Sequence, residues 1–126
     1  MAAFIQLLLS VAVVIASAAA NGFVLSPEDP EVLKVANYAI RTYNQMNNNV
    51  YAYKLVSIQS VSAQMYPPAR VKYSLSVTVG QTVCKNRPDI NLADCSLHGK
   101  TMTCNFVVLA VPNSDVPSYL LTSQCK

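Results

Sequence analysis

Four cysteines, Cys84, Cys95, Cys104 and Cys125, are the residues of this 126-residue chain best suited to chemistry, and all lie in its C-terminal half. They contain no Cys-x2-Cys pair and the chain has a single histidine, so the close ligand pairs that zinc needs are missing and no metal is expected. Disulfide formation is the other chemistry open to them, and it implies an oxidising compartment. Three pairings are formally open. Consecutive pairing, Cys84 with Cys95 and Cys104 with Cys125, closes two short loops, one over the polar segment 85–94 and one over the hairpin-like stretch 105–124. It is the expected order, and each closure of that size is worth about 3 kcal/mol in the chain-entropy picture.

Catalysis finds little to work with. His98 sits three residues beyond Cys95, and the neighbouring Ser96 shares its segment without forming a triad. A Ser-His or Cys-His nucleophile needs an oriented base and a free nucleophile, and neither is supplied. The six carboxylates, three of them at Glu28, Asp29 and Glu31, give no acid/base pair with a reason to be held apart. Three glycines form no phosphate loop. The expectation is a protein that is not an enzyme and uses no cofactor. The net charge of +3 comes from nine basic residues scattered without a run, so a nucleic-acid partner is not expected either.

Binding is better served. Gly22-Phe23-Val24-Leu25 is apolar and precedes any helical pattern, and Gln64-Met65-Tyr66-Pro67-Pro68-Ala69-Arg70 places Met, Tyr and two prolines where a hairpin tip is usually polar. Val111-Pro112-Asn113 adds a second stiff corner. Brought to one end of a sheet, these segments make a wedge whose backbone is already restricted by proline, which lowers the entropy cost of binding.

The elements that must position them follow from periodicity. Residues 1–20 are almost wholly apolar and end in Ala16-Ser17-Ala18-Ala19-Ala20, the pattern of a secretory signal peptide. Residues 21–126 then form one small domain, secreted and without a membrane span. Ser26-Pro27-Glu28-Asp29 reads as a helix start, with Ser26 as cap. Val32, Val35, Ala36, Ala39, Ile40 and Tyr43 repeat on one helical face up to the turn-prone Asn47-Asn48-Asn49. Val71, Tyr73, Leu75, Val77 and Val79 alternate with polar residues, as in a strand with one buried face. Stretches 51–63, 103–111 and 119–123 read as further strands, with hairpin turns at Pro67-Pro68 and Pro112-Asn113. One helix followed by successive strands gives an α+β layer pair.

Several strings occur in an order that resembles the secreted two-disulfide (type 2) cystatins. They are a glycine before the helix, Tyr43-Asn44 at its end, Tyr73-x-Leu75-x-Val77-x-Val79-Gly80-Gln81-Thr82-x-Cys84, Cys95-x-x-His98, Cys104-x-Phe106 and Ala110-Val111-Pro112. The resemblance spans Gly22 to Cys125 and implies a five-stranded antiparallel sheet wrapped around one long helix. It also implies reversible inhibition of cysteine proteases, by insertion of an N-terminal segment and two loops into the cleft of papain-like enzymes. Carried onto this chain, the contact residues are Gly22, Gln64, Met65, Tyr66, Pro67, Pro68, Pro112 and Asn113. The usual Gln-x-Val-x-Gly is replaced by a first loop two residues longer, and the usual Pro-Trp by Pro112-Asn113. Some cystatins also resemble substrates of legumain through an asparagine after the helix, a place taken here by Asn48. The altered loops define the alternative, a non-inhibitory binding or signalling protein of the same fold. The implied assembly is a monomer, with domain swapping through the first hairpin as its dimeric form.

Overall fold

Asp29 decides where the helix begins. A residue before proline is pushed out of the helical region, and Asp29, which precedes Pro30, has φ −59° and ψ 128° while its side chain accepts a hydrogen bond from the Glu31 N–H at 2.8 Å. The α-helix Pro30–Met46 (α1) therefore starts at Pro30, four residues after the cap expected at Ser26. The Ser26 hydroxyl instead receives the Glu28 N–H at 3.2 Å in a preceding turn. The computed structural model describes residues 22–126; the segment read as a signal peptide and Asn21 lie outside the described residues.

The strands are Phe23–Val24 (β1), Tyr51–Tyr66 (β2), Arg70–Lys85 (β3), Leu97–Ala110 (β4) and Tyr119–Cys125 (β5). They form one antiparallel sheet in the order β1-β2-β3-β4-β5. This is the α+β architecture expected, five strands around one helix. The expected helix face is buried at Val32, Val35, Ala36, Ala39 and Ile40, and the alternating β3 residues Val71, Tyr73, Leu75, Val77 and Val79 all point into the same core. Phe106, 1% exposed, is the largest side chain sealed inside, and Tyr43 meets its ring edge-on at 6.3 Å. An interior this small relies on such close packing.

Polar groups fix how helix and sheet meet. Asn44, buried on α1, behaves like a piece of strand: its amide nitrogen donates to the Tyr53 carbonyl at 2.8 Å and its oxygen accepts the Tyr53 N–H at 3.0 Å. Asn86 then donates to the Asn44 and Asn47 carbonyls at 2.8 and 3.2 Å, which closes the end of the helix. Thr82, with no exposure, donates to the Ala52 carbonyl at 2.8 Å.

The cysteines are joined consecutively, Cys84 to Cys95 and Cys104 to Cys125. The first bond lays Ser96 beside Val83, whose N–H donates to the Ser96 carbonyl at 3.0 Å, and β4 starts at Leu97 rather than Thr103 as the sequence suggested. His98 is consequently an exposed strand residue. The corner expected as a tight hairpin at Pro112-Asn113 is an eight-residue connection, 111–118. Pro112 and Pro117 cannot donate to a ladder, and Ser114 closes a turn within it by donating to the Val111 carbonyl at 2.7 Å.

Replacing Asn44 by Leu removes both bonds to Tyr53 and leaves its part-buried N–H and C=O without those partners. The expected loss is about 2–4 kcal/mol of unfolding free energy, read as a lower urea midpoint at unchanged slope.

Candidate functional site

Register places the three apolar segments at one end of the sheet. The β2–β3 hairpin closes at Tyr66↔Arg70, and β4 reaches that same end through Val71↔Ala110, two residues before Pro112. Phe23 pairs with Ala63 and Val24 with Ser62, which brings Gly22 alongside Gln64. A β-carbon on Gly22 would stand 2.6 Å from the Ala63 carbonyl oxygen, and its φ of +92° is one that side-chain-bearing residues avoid. Glycine is thus what lets the N-terminal segment lie against the first hairpin. The Leu25 N–H, bonded to the Val61 carbonyl at 3.1 Å, extends that contact.

The first hairpin tip is open to solvent. Gln64, Pro67 and Pro68 are exposed, and Met65 and Tyr66 are 55% and 50% exposed; the Pro67–Pro68 peptide bond is cis. On the second loop Pro112 is half-buried and Asn113 exposed. Asn113 has φ +56°, a conformation that asparagine tolerates far better than an aromatic residue does. The residue at this corner is therefore suited to shaping the turn, a role not apparent from its spacing.

Tethers that sequence reading missed hold the second loop. Lys34 donates to the Ser114 carbonyl at 2.9 Å and Tyr38 to the Ser118 carbonyl at 2.7 Å, both from α1. Arg70, at the foot of the first hairpin, donates to the Pro117 carbonyl at 3.2 Å and lies 4.8 Å from the centre of the Tyr119 ring. Each donor is some 47 to 80 residues from its acceptor, so no local pattern announces it.

Between the N-terminal segment and the second loop lies a cleft of about 280 Å³, floored by Ala63, Val71 and Tyr73 and flanked by Asp29 and Glu31. Burial, then the negative charge of Glu31 and Asp29, raise the Tyr73 phenol above its ordinary value of 10.0. Asn48 lies elsewhere. It is exposed, just past the α1 end at the opposite pole of the sheet, where Tyr51 pairs with Lys85. It shares a larger cleft, about 440 Å³, with Arg41, Asn49 and Arg87. No cluster of three His, Cys, Asp or Glu suited to a metal occurs among the described residues, and no described helix is long and apolar enough to cross a membrane.

Comparisons with known proteins fit this geometry. A family model described as the cystatin domain matches residues 24–113. Cystatin-D of Mus musculus is 36% identical over 91 residues, covering 68% of this chain and 60% of its own length. Cystatin-2 of Crotalus adamanteus is 33% identical over 92 residues, covering 69% of this chain and 65% of its own length. The matched part thus spans under two thirds of either relative. The crystal structure of dimeric human cystatin F superposes with a TM-score of 0.73 at 26% identity, over 83% of this chain and 86% of that one. Mialostatin, a gut cystatin of the tick Ixodes ricinus, has the same fold, with a TM-score of 0.69 at 21% identity over 83% of this chain and 96% of that one.

Two outcomes follow. Gly22→Ala is expected to lift the N-terminal segment from β2, seen as faster hydrogen exchange at the Leu25 amide with the core amides unchanged. Since the Tyr73 phenol loses its proton less readily in the fold than in the unfolded chain, its contribution to stability is complete below pH 10.0 and is lost as pH rises through its folded value. Tyr73→Phe is expected to flatten the alkaline fall in stability, measured by urea unfolding across that range.

Proposed function

Because the chain belongs to the cystatin family, whose members are in general inhibitors of cysteine proteases, we propose that it is itself a reversible inhibitor of papain-like cysteine proteases. The observation that carries this reading is the convergence of Gly22–Leu25, Gln64–Pro68 and Pro112-Asn113 at one end of a cross-linked sheet. The wedge enters the protease cleft, and proline restricts the loops so that little freedom is lost on entry. With Asn113 where an aromatic anchor would stand, the burial available to binding shifts to Met65 and Tyr66, both half-exposed at the first tip. Large side chains of that kind, seated at the centre of an interface, dominate affinity.

The inhibitor is secreted: residues 1–20 act as a signal peptide removed near Ala20, and residues 21–126 are the active domain. It works without catalysis or cofactor, as a monomer, with exchange of elements through the first hairpin as its route to a dimer. Legumain is the second target in this reading, favoured by the exposure of Asn48 at the pole opposite the wedge. Two proteases then occupy one molecule without competing.

An inhibition panel with a papain-like enzyme and legumain tests both targets. Tyr66→Ala is expected to raise the inhibition constant toward the papain-like enzyme at least about tenfold, the loss typical of a central anchor, and to leave legumain unaffected. Asn48→Lys is expected to do the reverse. A purified protein that leaves both enzymes active at micromolar concentration overturns the proposal in favour of a non-inhibitory binding or signalling role.

A further inference from the structure

The cleft between the N-terminal segment and the second loop is built for a long side chain with a positive end. Phe23 and Leu25 give it an apolar wall and Val71 an apolar floor, and the Asp29 and Glu31 carboxylates flank it. Tyr73, 4% exposed, forms the floor; its hydroxyl has no hydrogen-bond partner among the described residues and opens into the cleft. A sealed, partnerless hydroxyl would be a costly arrangement, whereas one facing a cleft stands ready for a ligand. Asp29 caps α1, while the Glu31 carboxylate has no described cation paired with it. Lys34, the nearest base along α1, directs its ammonium to the Ser114 carbonyl, and with Arg41 it lines an adjoining cleft; Glu31 borders both clefts, and neither base lines this one.

Methylene stems pack along apolar walls while their charged heads seek acceptors, and a carboxylate beside a phenol hydroxyl offers both an ion pair and a hydrogen-bond acceptor. We propose that this cleft takes one lysine or arginine side chain from the rim of the target protease's active site, and so selects targets that carry such a residue there. The identity of the partner rests on the inhibitory reading above. The cation-accepting character of the cleft does not.

The test uses acetyl-arginine amide, with acetyl-norleucine amide as its uncharged counterpart, titrated into the purified protein and followed by NMR. Saturable shifts at Tyr73, Glu31 and Asn113 are expected with the arginine compound alone. Glu31→Gln is expected to weaken that binding about fivefold, as for loss of one partner of a solvent-facing ion pair, with the spectrum otherwise that of the folded protein. Equal shifts with the norleucine compound, or no effect of Glu31→Gln, overturn the proposal. In inhibition assays the same variant is expected to weaken binding about fivefold only toward enzymes with a basic rim, and an equal loss toward neutral-rimmed enzymes overturns the selectivity. Arginine binding with no protease inhibited retains the cleft and discards the inhibitor. Inhibition without arginine binding does the opposite.

Discussion

The structure depends on one packing contact, the apolar stripe of α1 laid across the inward faces of β2, β3 and β4. Val32, Val35, Ala36, Ala39 and Ile40 share one core with Val61 and Ala63 of β2, the β3 row Val71, Tyr73, Leu75, Val77 and Val79, and Val108 and Ala110 of β4, and every one is at least nine-tenths buried. The helix contributes mostly small and β-branched side chains, which allow close approach to a curved sheet, while Phe106 fills the space that remains. Since a strand changes face at every residue, this row also sets the register of its neighbours. It therefore determines which turn residues emerge at which end.

The candidate site inherits its geometry from that register. Tyr66↔Arg70 and Val71↔Ala110 put two connections side by side, and Gly22 supplies the absence of a side chain that a third segment needs to join them. Nothing in the loops alone would hold them together. Lys34, Tyr38 and Arg70 do so by donating to backbone carbonyls in 111–118, so the second loop is positioned by the helix and by the first hairpin.

Much of this architecture was legible in the residues. The helical face and the alternation of β3 were plain because burial imposes those periods on side chains in sequence. Cysteine order, compartment chemistry and the resemblance together indicated the cross-links. What escaped was either too short or too distant. β1 is two residues long and carries no period, and β4 extends back to Leu97 through pairing with β3 around the Cys84–Cys95 bond. The helix starts later than Ser26-Pro27 suggests because Pro30 holds Asp29 outside the helical region and makes it the cap. Asn44, Arg70 and Tyr38 act across the fold, and side chains that bond remote carbonyls leave no trace in local patterning. At the site itself, the open tip at Met65-Tyr66 could be read from composition, whereas the backbone twist at Asn113 could not.

Both covalent bonds lie away from the loop edge: Cys84 and Cys125 are near the far ends of β3 and β5, and Cys104 is inside β4. The edge is therefore held by hydrogen bonds and packing alone, while the strands behind it keep their alignment through covalent bonds. Local opening there costs less than global unfolding, and the cross-links spare the returning chain a long search, since the loops to be closed are already short. A variant that breaks one of the edge's tethers thus disturbs the binding end while leaving the cross-linked strands folded.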